Sequence, residues 1–308
     1  MVKQGKKRFL VDRSNWMGEL RENVRESVIL SKLSIPGTHN SFTYSLNKTS
    51  VIGPDSPEWL QSLGKYLPIV RPYFFLWSRC QNLDVNNQLM VGVRYFDIRL
   101  AVKSKREIRV IHALYGDEIS PLLQKIRDFL QIHKDEVVIL DFQHMYAFKE
   151  EHHNQLEALI DVTFGKWICP HSVAKEQLTL NFLKSKDIRV IVIYPGNRRH
   201  YWSRSDCLNP WPNTVSPKKM LSFLNERLPL RDPNILYVSQ GILTPDGSFI
   251  LKHLLSSLRK ALAPLASSAI VDSWLPIVKT NNIVIIDYIV DYPSFIDSIL
   301  RKNAVHSQ

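Results

Sequence analysis

The sequence predicts an irregular (β/α) barrel of the TIM type, and three observations carry that expectation. Short apolar, β-branched runs of strand length recur at residues 33–37, 93–100, 108–113, 137–143, 188–194, 235–240 and 283–289. These runs are continuously apolar rather than alternating, which is the pattern of parallel strands covered on both faces. Between most of them lie segments with helical spacing, and strands that alternate with helices build a parallel sheet.

Taken in order, residues 1–30 precede the first strand and are expected to pack on the barrel as an extension, with residues 31–302 as one barrel domain. The first strand runs into Gly37-Thr38-His39. A long segment, 42–82, follows. Its apolar stripe from Arg71 to Trp77 reads as core, since aromatic runs of this kind are more often buried than exposed. The strands at 93–100 and 108–113 are joined by a short charged loop with no room for a helix, so the barrel should be irregular there. Ser120-Pro121 supplies an N-cap and a proline at the first helical position, and Leu122, Leu123, Ile126, Phe129 and Leu130 recur at helical spacing. After the strand at 137–143, a helix from Glu150 places Leu156, Leu159, Ile160 and Phe164 on one face and stops at Gly165. The strand at 188–194 leads into a second long segment, 195–216. Ser216-Pro217 then opens a helix with Met220, Leu221, Leu224 and Leu228 inward. No linker divides the chain, and long structureless segments are usually functional.

Composition narrows the classes. The chain has 308 residues with 40 Lys and Arg against 29 Asp and Glu, a formal net charge of +11. Hydrophobic residues at 44% and charged residues at 22% are those of a globular protein, not a disordered one. Three cysteines cannot build a disulfide framework and fit a reducing compartment. No apolar stretch approaches the ~18 residues of a membrane span. The start of the chain has only Phe9-Leu10-Val11 before Asp12, too little for a secretory signal. The expectation is a cytoplasmic protein, at most peripherally bound to membrane, whose basic charge attracts phosphate-rich surfaces. No nucleic-acid motif accompanies that charge.

Barrel strands deliver their C-terminal residues to one common face. Reading off those ends gives His39, Asp97 with Arg99, His112, Gln143, Tyr194, Gln240 and Asp287. Two histidines and an arginine at one spot suit phosphoryl transfer. One imidazole takes a proton, the other gives one, and a guanidinium holds phosphate oxygens two at a time.

Several segments in order sharpen this reading: Leu33-Ser-Ile-Pro-Gly-Thr-His39-Asn40-Ser41, Val93-Arg-Tyr-Phe-Asp97-Ile-Arg99, Val110-Ile-His112 and Val137-Val-Ile-Leu-Asp141-Phe-Gln143-His144. Together they resemble the X domain of phosphatidylinositol-specific phospholipase C, and most of all the short eukaryotic proteins that consist of little else. The resemblance covers about residues 14–300. It implies a phosphodiesterase that cleaves inositol phospholipid to diacylglycerol and a cyclic inositol phosphate. It implies His39 as the base on the inositol 2-hydroxyl, Asp287 as its orienting partner, His112 as the acid on the diacylglycerol oxygen and Arg99 as the phosphate clamp. Asp97 would position Arg99 or the headgroup, and Asp141, Gln143, Tyr194 and Gln240 would line the headgroup pocket.

Two positions discriminate within the resemblance. Calcium-dependent members carry an acidic residue where Arg99 stands, so the site resembles the metal-independent arrangement, with no metal and no cofactor. Most relatives carry aspartate where this chain has Asn40, and that aspartate partners the second histidine. Asparagine offers a hydrogen bond without charge, which gives a weaker acid. The alternative is therefore an inositol-lipid headgroup module that kept the barrel and lost turnover. In either case Arg198, Arg199 and Arg204, after a strand end, are expected to meet an anionic membrane at about 1 kcal/mol each.

Overall fold

The computed structural model describes residues 10–196, 198 and 200–304. Among the described residues the strands are β1 (Ile35–Thr38), β2 (Tyr95–Ser104), β3 (Glu107–His112), β4 (Leu114–Glu118) and β5 (Val138–Tyr146). They continue with β6 (Val190–Ile193), β7 (Cys207–Leu208), β8 (Leu236–Gly241) and β9 (Ile283–Ile286). Seven of them form one parallel run in the order β7-β8-β9-β1-β2-β5-β6. β2 also pairs antiparallel with β3, and β3 with β4, as a hairpin standing off the sheet. That is the irregularity expected from the short charged loop. β4 and the two-residue β7 are strands that the apolar runs did not announce.

The barrel is not closed. Among the described residues no ladder joins β6 to β7, and an isolated bridge between Ile193 and Trp202 is what the seam offers. The (β/α) character holds, with the sheet open on one side.

Strand side chains alternate between two cores. Ile35, Tyr95, Ile139, Ile191, Val238, Ile283 and Ile285 share one cluster with Trp16, Met17, Leu30 and Leu33 from the start of the chain. Phe96, Ile98, Leu140, Val192, Val284 and Ile286 face the other way. They pack against helices Ile119–Ile132, Glu150–Phe164, Pro217–Arg227 and Pro293–Asn303. Each large aliphatic side chain so buried contributes about 1.5–3 kcal/mol. The amphipathic spacing read from Leu122, Leu123, Ile126, Phe129 and Leu130 is the buried face of its helix. That helix begins at Ile119 with Glu118 before it, so Pro121 lies within its first turn and Ser120 does not cap it. Gly165 does end its helix, at φ 51, and Ser216 caps the next with its side chain on the Lys219 N–H.

Arg94 and Glu136 lock the start of the chain to the sheet. Both are fully buried and paired at 2.7 Å. Glu136 also accepts the N–H groups of Met17 and Gly18, while Arg94 donates to the carbonyls of Ser14, Leu89 and Val93.

Candidate active site

The ends of β1, β3 and β9 meet the middle of β2 at one point. Thr38 closes β1 and hands the chain to His39; β2 carries Asp97 and Arg99; β3 ends at His112; Asp287 follows β9. His39, Asp97, Arg99 and Asp287 share the inward alternation of Ile35, Tyr95 and Ile285. The residue after each histidine, and after Asp287, takes a left-handed backbone: Asn40 at φ 44, Ala113 at φ 58 and Tyr288 at φ 50. Asparagine tolerates this region, while a tyrosine there is a genuine outlier.

His39 Nδ1 donates to Asp287 Oδ1 at 2.8 Å. A carboxylate can only accept, so the tautomer is fixed with the Nε2 lone pair free. That Nε2 lies 2.9 Å from Asn40 Nδ2 and 3.4 Å from an Arg99 guanidinium nitrogen. Asn40 is itself held by its backbone N–H on Asp97 Oδ2 at 2.9 Å. Asp97 lies 3.9 Å from His39 Nε2 and 4.0 Å from Arg99 Nε, and its Oδ1 is buried without a hydrogen-bond partner.

His112 stands on the far side of Asn40. Its Nδ1 donates to the Ser78 carbonyl at 2.6 Å, and its Nε2 lies 3.5 Å from Asn40 Nδ2. Burial first, and then the Arg99 guanidinium, push its pKa down to about 3, against the contrary pull of the Ser78 carbonyl. At neutral pH His112 is an uncharged imidazole. Cys80 Sγ fits between these groups, 3.5 Å from Asn40 Nδ2 and 3.8 Å from His112 Nδ1. Burial, reinforced by Asp287, pushes the Cys80 thiol well up.

The expected pocket-lining residues divide. Asp141 Oδ2 accepts from the Tyr95 hydroxyl and from Gln143 Nε2, both at 2.5 Å. Burial raises the Asp141 carboxyl to about 7 although both hydrogen bonds oppose it. Gln240 donates to Asn209, whose amide donates to Tyr95. Asp141, Gln143 and Gln240 thus belong to one polar chain inside the sheet, beside the histidine cluster.

Tyr194 is not brought to the site, contrary to expectation. It packs with Val190 and Val192 on the helix side of the sheet, and its hydroxyl meets His153 Nδ1 at 2.9 Å. The basic loop is also engaged otherwise than expected. Arg198 is forked onto Glu150 and lies 3.1 Å from Glu157, and Arg204 donates to the Gln143 carbonyl. Arg199 lies outside the described residues.

The segment Ser78–Gln81 was missed by sequence reasoning. It supplies the carbonyl that orients His112, the thiol beside Asn40, and Gln81, whose amide donates to the His39 and Ile286 carbonyls. No motif signals it, because it follows a helix rather than a strand.

Chemically, the cluster offers one imidazole whose Nε2 faces Asn40 and the Arg99 guanidinium, and a second that is neutral. Comparison with known proteins gives the family and the fold. The family model described as "Phosphatidylinositol-specific phospholipase C, X domain" matches residues 73–194, which include Arg99 and His112 but begin after His39. "PI-PLC X domain-containing protein 3" of Mus musculus is 30% identical over 96% of this chain and 95% of its own length. "PI-PLC X domain-containing protein 2" of Mus musculus is 34% identical over 94% of this chain and 87% of its own. Among solved structures, the phosphatidylinositol-specific phospholipase C from Listeria monocytogenes superposes with a TM-score of 0.67 at 17% identity. It covers 95% of this chain and 99% of that one. At that identity the likeness shows a common fold.

Proposed function

The chain belongs to the PI-PLC X domain-containing protein family, and from that premise we propose that it is a metal-independent phosphodiesterase acting on inositol phospholipid. The observation that carries this reading is the His39–Asp287 pair, which leaves Nε2 with a lone pair 3.4 Å from Arg99. His39 Nε2 takes the proton of the inositol 2-hydroxyl, whose oxygen attacks phosphorus. Asp287 orients the ring and balances its charge. Arg99 holds the phosphate oxygens as charge builds on them, with Asp97 positioning Arg99. The diacylglycerol oxygen leaves with a proton from the imidazolium form of His112, whose Nε2 must first take that proton up because the neutral ring carries its own on Nδ1 against the Ser78 carbonyl, and a cyclic inositol phosphate remains. Asp141, Gln143 and Gln240 extend the polar surface that the headgroup meets.

One observation favours a second reading. The proton on the leaving oxygen must come from His112, which is neutral at physiological pH and faces an amide nitrogen of Asn40 rather than a carboxylate. A headgroup-binding module that turns over slowly or not at all would look this way.

The surface beside the site supports work at a membrane. Helices Glu58–Tyr66 and Arg71–Ser78 lead into Ser78, and Trp77 packs edge-on against Phe249 of the neighbouring helix. Along them and the turn between them Trp59 (68%), Tyr66 (77%) and Ile69 (73%) stand exposed, as does Leu255 (96%) after helix Gly247–Lys252. Apolar and aromatic side chains so placed partition into the headgroup boundary. They take over the role expected of the basic loop. Among the described residues no helix is long and apolar enough to cross a membrane. The three free, buried cysteines support a cytoplasmic protein that binds membranes peripherally, with residues 31–302 as one domain and residues 14–30 packed on it.

The test is release of water-soluble inositol phosphate from radiolabelled phosphatidylinositol vesicles in EDTA. Parent activity lost in His39→Ala and Asp287→Asn supports the phosphodiesterase. Vesicle binding without release supports the module.

A further inference from the structure

Cys80 has no part in the proposed chemistry, yet it is placed at the centre of the histidine cluster. A ring nitrogen of His39, the Cys80 sulfur and a carboxylate oxygen of Asp287 all lie within 4.8 Å of one another, and all three residues are buried. We infer that His39, Cys80 and Asp287 form a zinc site, and that zinc bound there switches the catalytic base off.

The donor set selects the ion. Imidazole nitrogen, thiolate and carboxylate are the three ligand types of zinc, which accepts them together in a tetrahedron. Calcium and magnesium require several oxygens, and this triad supplies a single carboxylate. Zinc bonds of about 2.0–2.3 Å put tetrahedral ligands roughly 3.5 Å apart, so the triad closes by about an ångström of side-chain movement. His112 is not among the residues whose ligand atoms lie within 4.8 Å of one another, and its Nδ1 is held by the Ser78 carbonyl at 2.6 Å. The fourth position then belongs to water or to a phosphate oxygen.

The charges also fit. Formally the metal-free cluster of Asp97, Asp287 and Arg99 carries one net negative charge. Binding Zn²⁺ expels one proton from the Cys80 thiol and leaves the cluster neutral. Whichever His39 nitrogen coordinates, the base is lost. Ligation at Nε2 occupies the lone pair, and ligation at Nδ1 moves the ring proton to Nε2.

Binding itself does not depend on the phosphodiesterase reading; only the inhibition rests on it. Metal-stripped, reduced full-length protein is titrated with Co²⁺ as a spectroscopic probe and then with Zn²⁺. The parent should show sulfur-to-cobalt charge-transfer absorption and tetrahedral visible bands, displaced by one equivalent of zinc. Cys80→Ser and Cys80→Ala should lose the charge-transfer band and bind zinc more than about tenfold more weakly. Zinc should raise the melting temperature of the parent and of neither variant, and folding of each variant is checked by its melt without metal. In the turnover assay zinc should inhibit the parent, while each Cys80 variant should keep in zinc whatever rate it shows without metal. A catalytically silent chain that still shows the cysteine-dependent band would sink the phosphodiesterase and keep the zinc site. No band in the parent, or a band that survives in both Cys80 variants, overturns the zinc site whatever the activity.

Discussion

His39 and His112 present their Nε2 atoms to the same amide nitrogen, Asn40 Nδ2, at 2.9 and 3.5 Å. A single donor thus faces the lone pairs of both imidazoles. This suits the base, whose Nε2 must be unprotonated, and opposes the acid, whose Nε2 must carry a proton.

Asn40→Asp should therefore raise turnover at neutral pH. A carboxylate at this position favours the imidazolium of His112, and each pK unit so gained multiplies the loaded acid about tenfold. The asparagine's left-handed backbone is one that aspartate also tolerates. Turnover on phosphatidylinositol vesicles in EDTA checks this; a rate unchanged or lowered, with the fold intact, removes His112 from the role of acid.

Arg99→Lys keeps the charge and loses the planar two-pronged contact. Loss of one such donor should lower kcat by about 10²–10³. Chelation should leave the parent enzyme at full rate. Activity abolished by EDTA and restored by calcium would show that a metal, not Arg99, meets the phosphate.

Replacing Trp59 and Ile69 by alanine should weaken vesicle binding and spare the chemistry. Each side chain contributes about 2 kcal/mol if it leaves water, roughly 30-fold in partitioning. Sedimentation with anionic vesicles measures the loss. Turnover of a monomeric short-chain substrate should stay unchanged, which separates docking from catalysis.

Asp141 makes stability depend on pH. Its folded pKa is about 7 against an ordinary value of 3.8, so the folded state binds the proton more tightly. Its stabilising contribution is complete below the ordinary value and is lost as the pH rises through about 7. Asp141→Asn, which cannot ionise, should melt progressively higher than the parent as pH is raised from about 5 to about 8. Equal melting temperatures across that range would show that the carboxyl is not held protonated.

How much was legible in the sequence follows from alternation. The strand ends singled out His39, Asp97, Arg99, His112 and Asp287, which the fold brings into one cluster. They did not give the face. Along β6, Ile191 and Ile193 point inward, so Tyr194 falls among Val190 and Val192 on the helix side. The parity was available in the sequence and would have excluded it. The open seam between β6 and β7 was not legible, since a two-residue strand leaves no periodic signal. Nor was Cys80, because its position depends on how the helix Arg71–Ser78 folds back over the hairpin. The ion pairs of Arg198 were not legible either: its partners, Glu150 and Glu157, lie more than forty positions away on one helix.

The left-handed residues at positions 40, 113 and 288 have a bearing on how this protein can be improved. Each is pinned from outside its own strand: Asn40 by Asp97, Ala113 by Asp55 at 2.6 Å, and Tyr288 by its N–H on the Cys80 carbonyl at 2.7 Å. A non-glycine residue held this way stores about 1–3 kcal/mol. A selection for heat resistance would find that reserve quickly, for example through Ala113→Gly, which relaxes the backbone. The same change would loosen the hinge that aims His112. Robustness and turnover are thus set against each other at three single positions, and engineering for shelf life should proceed everywhere else first.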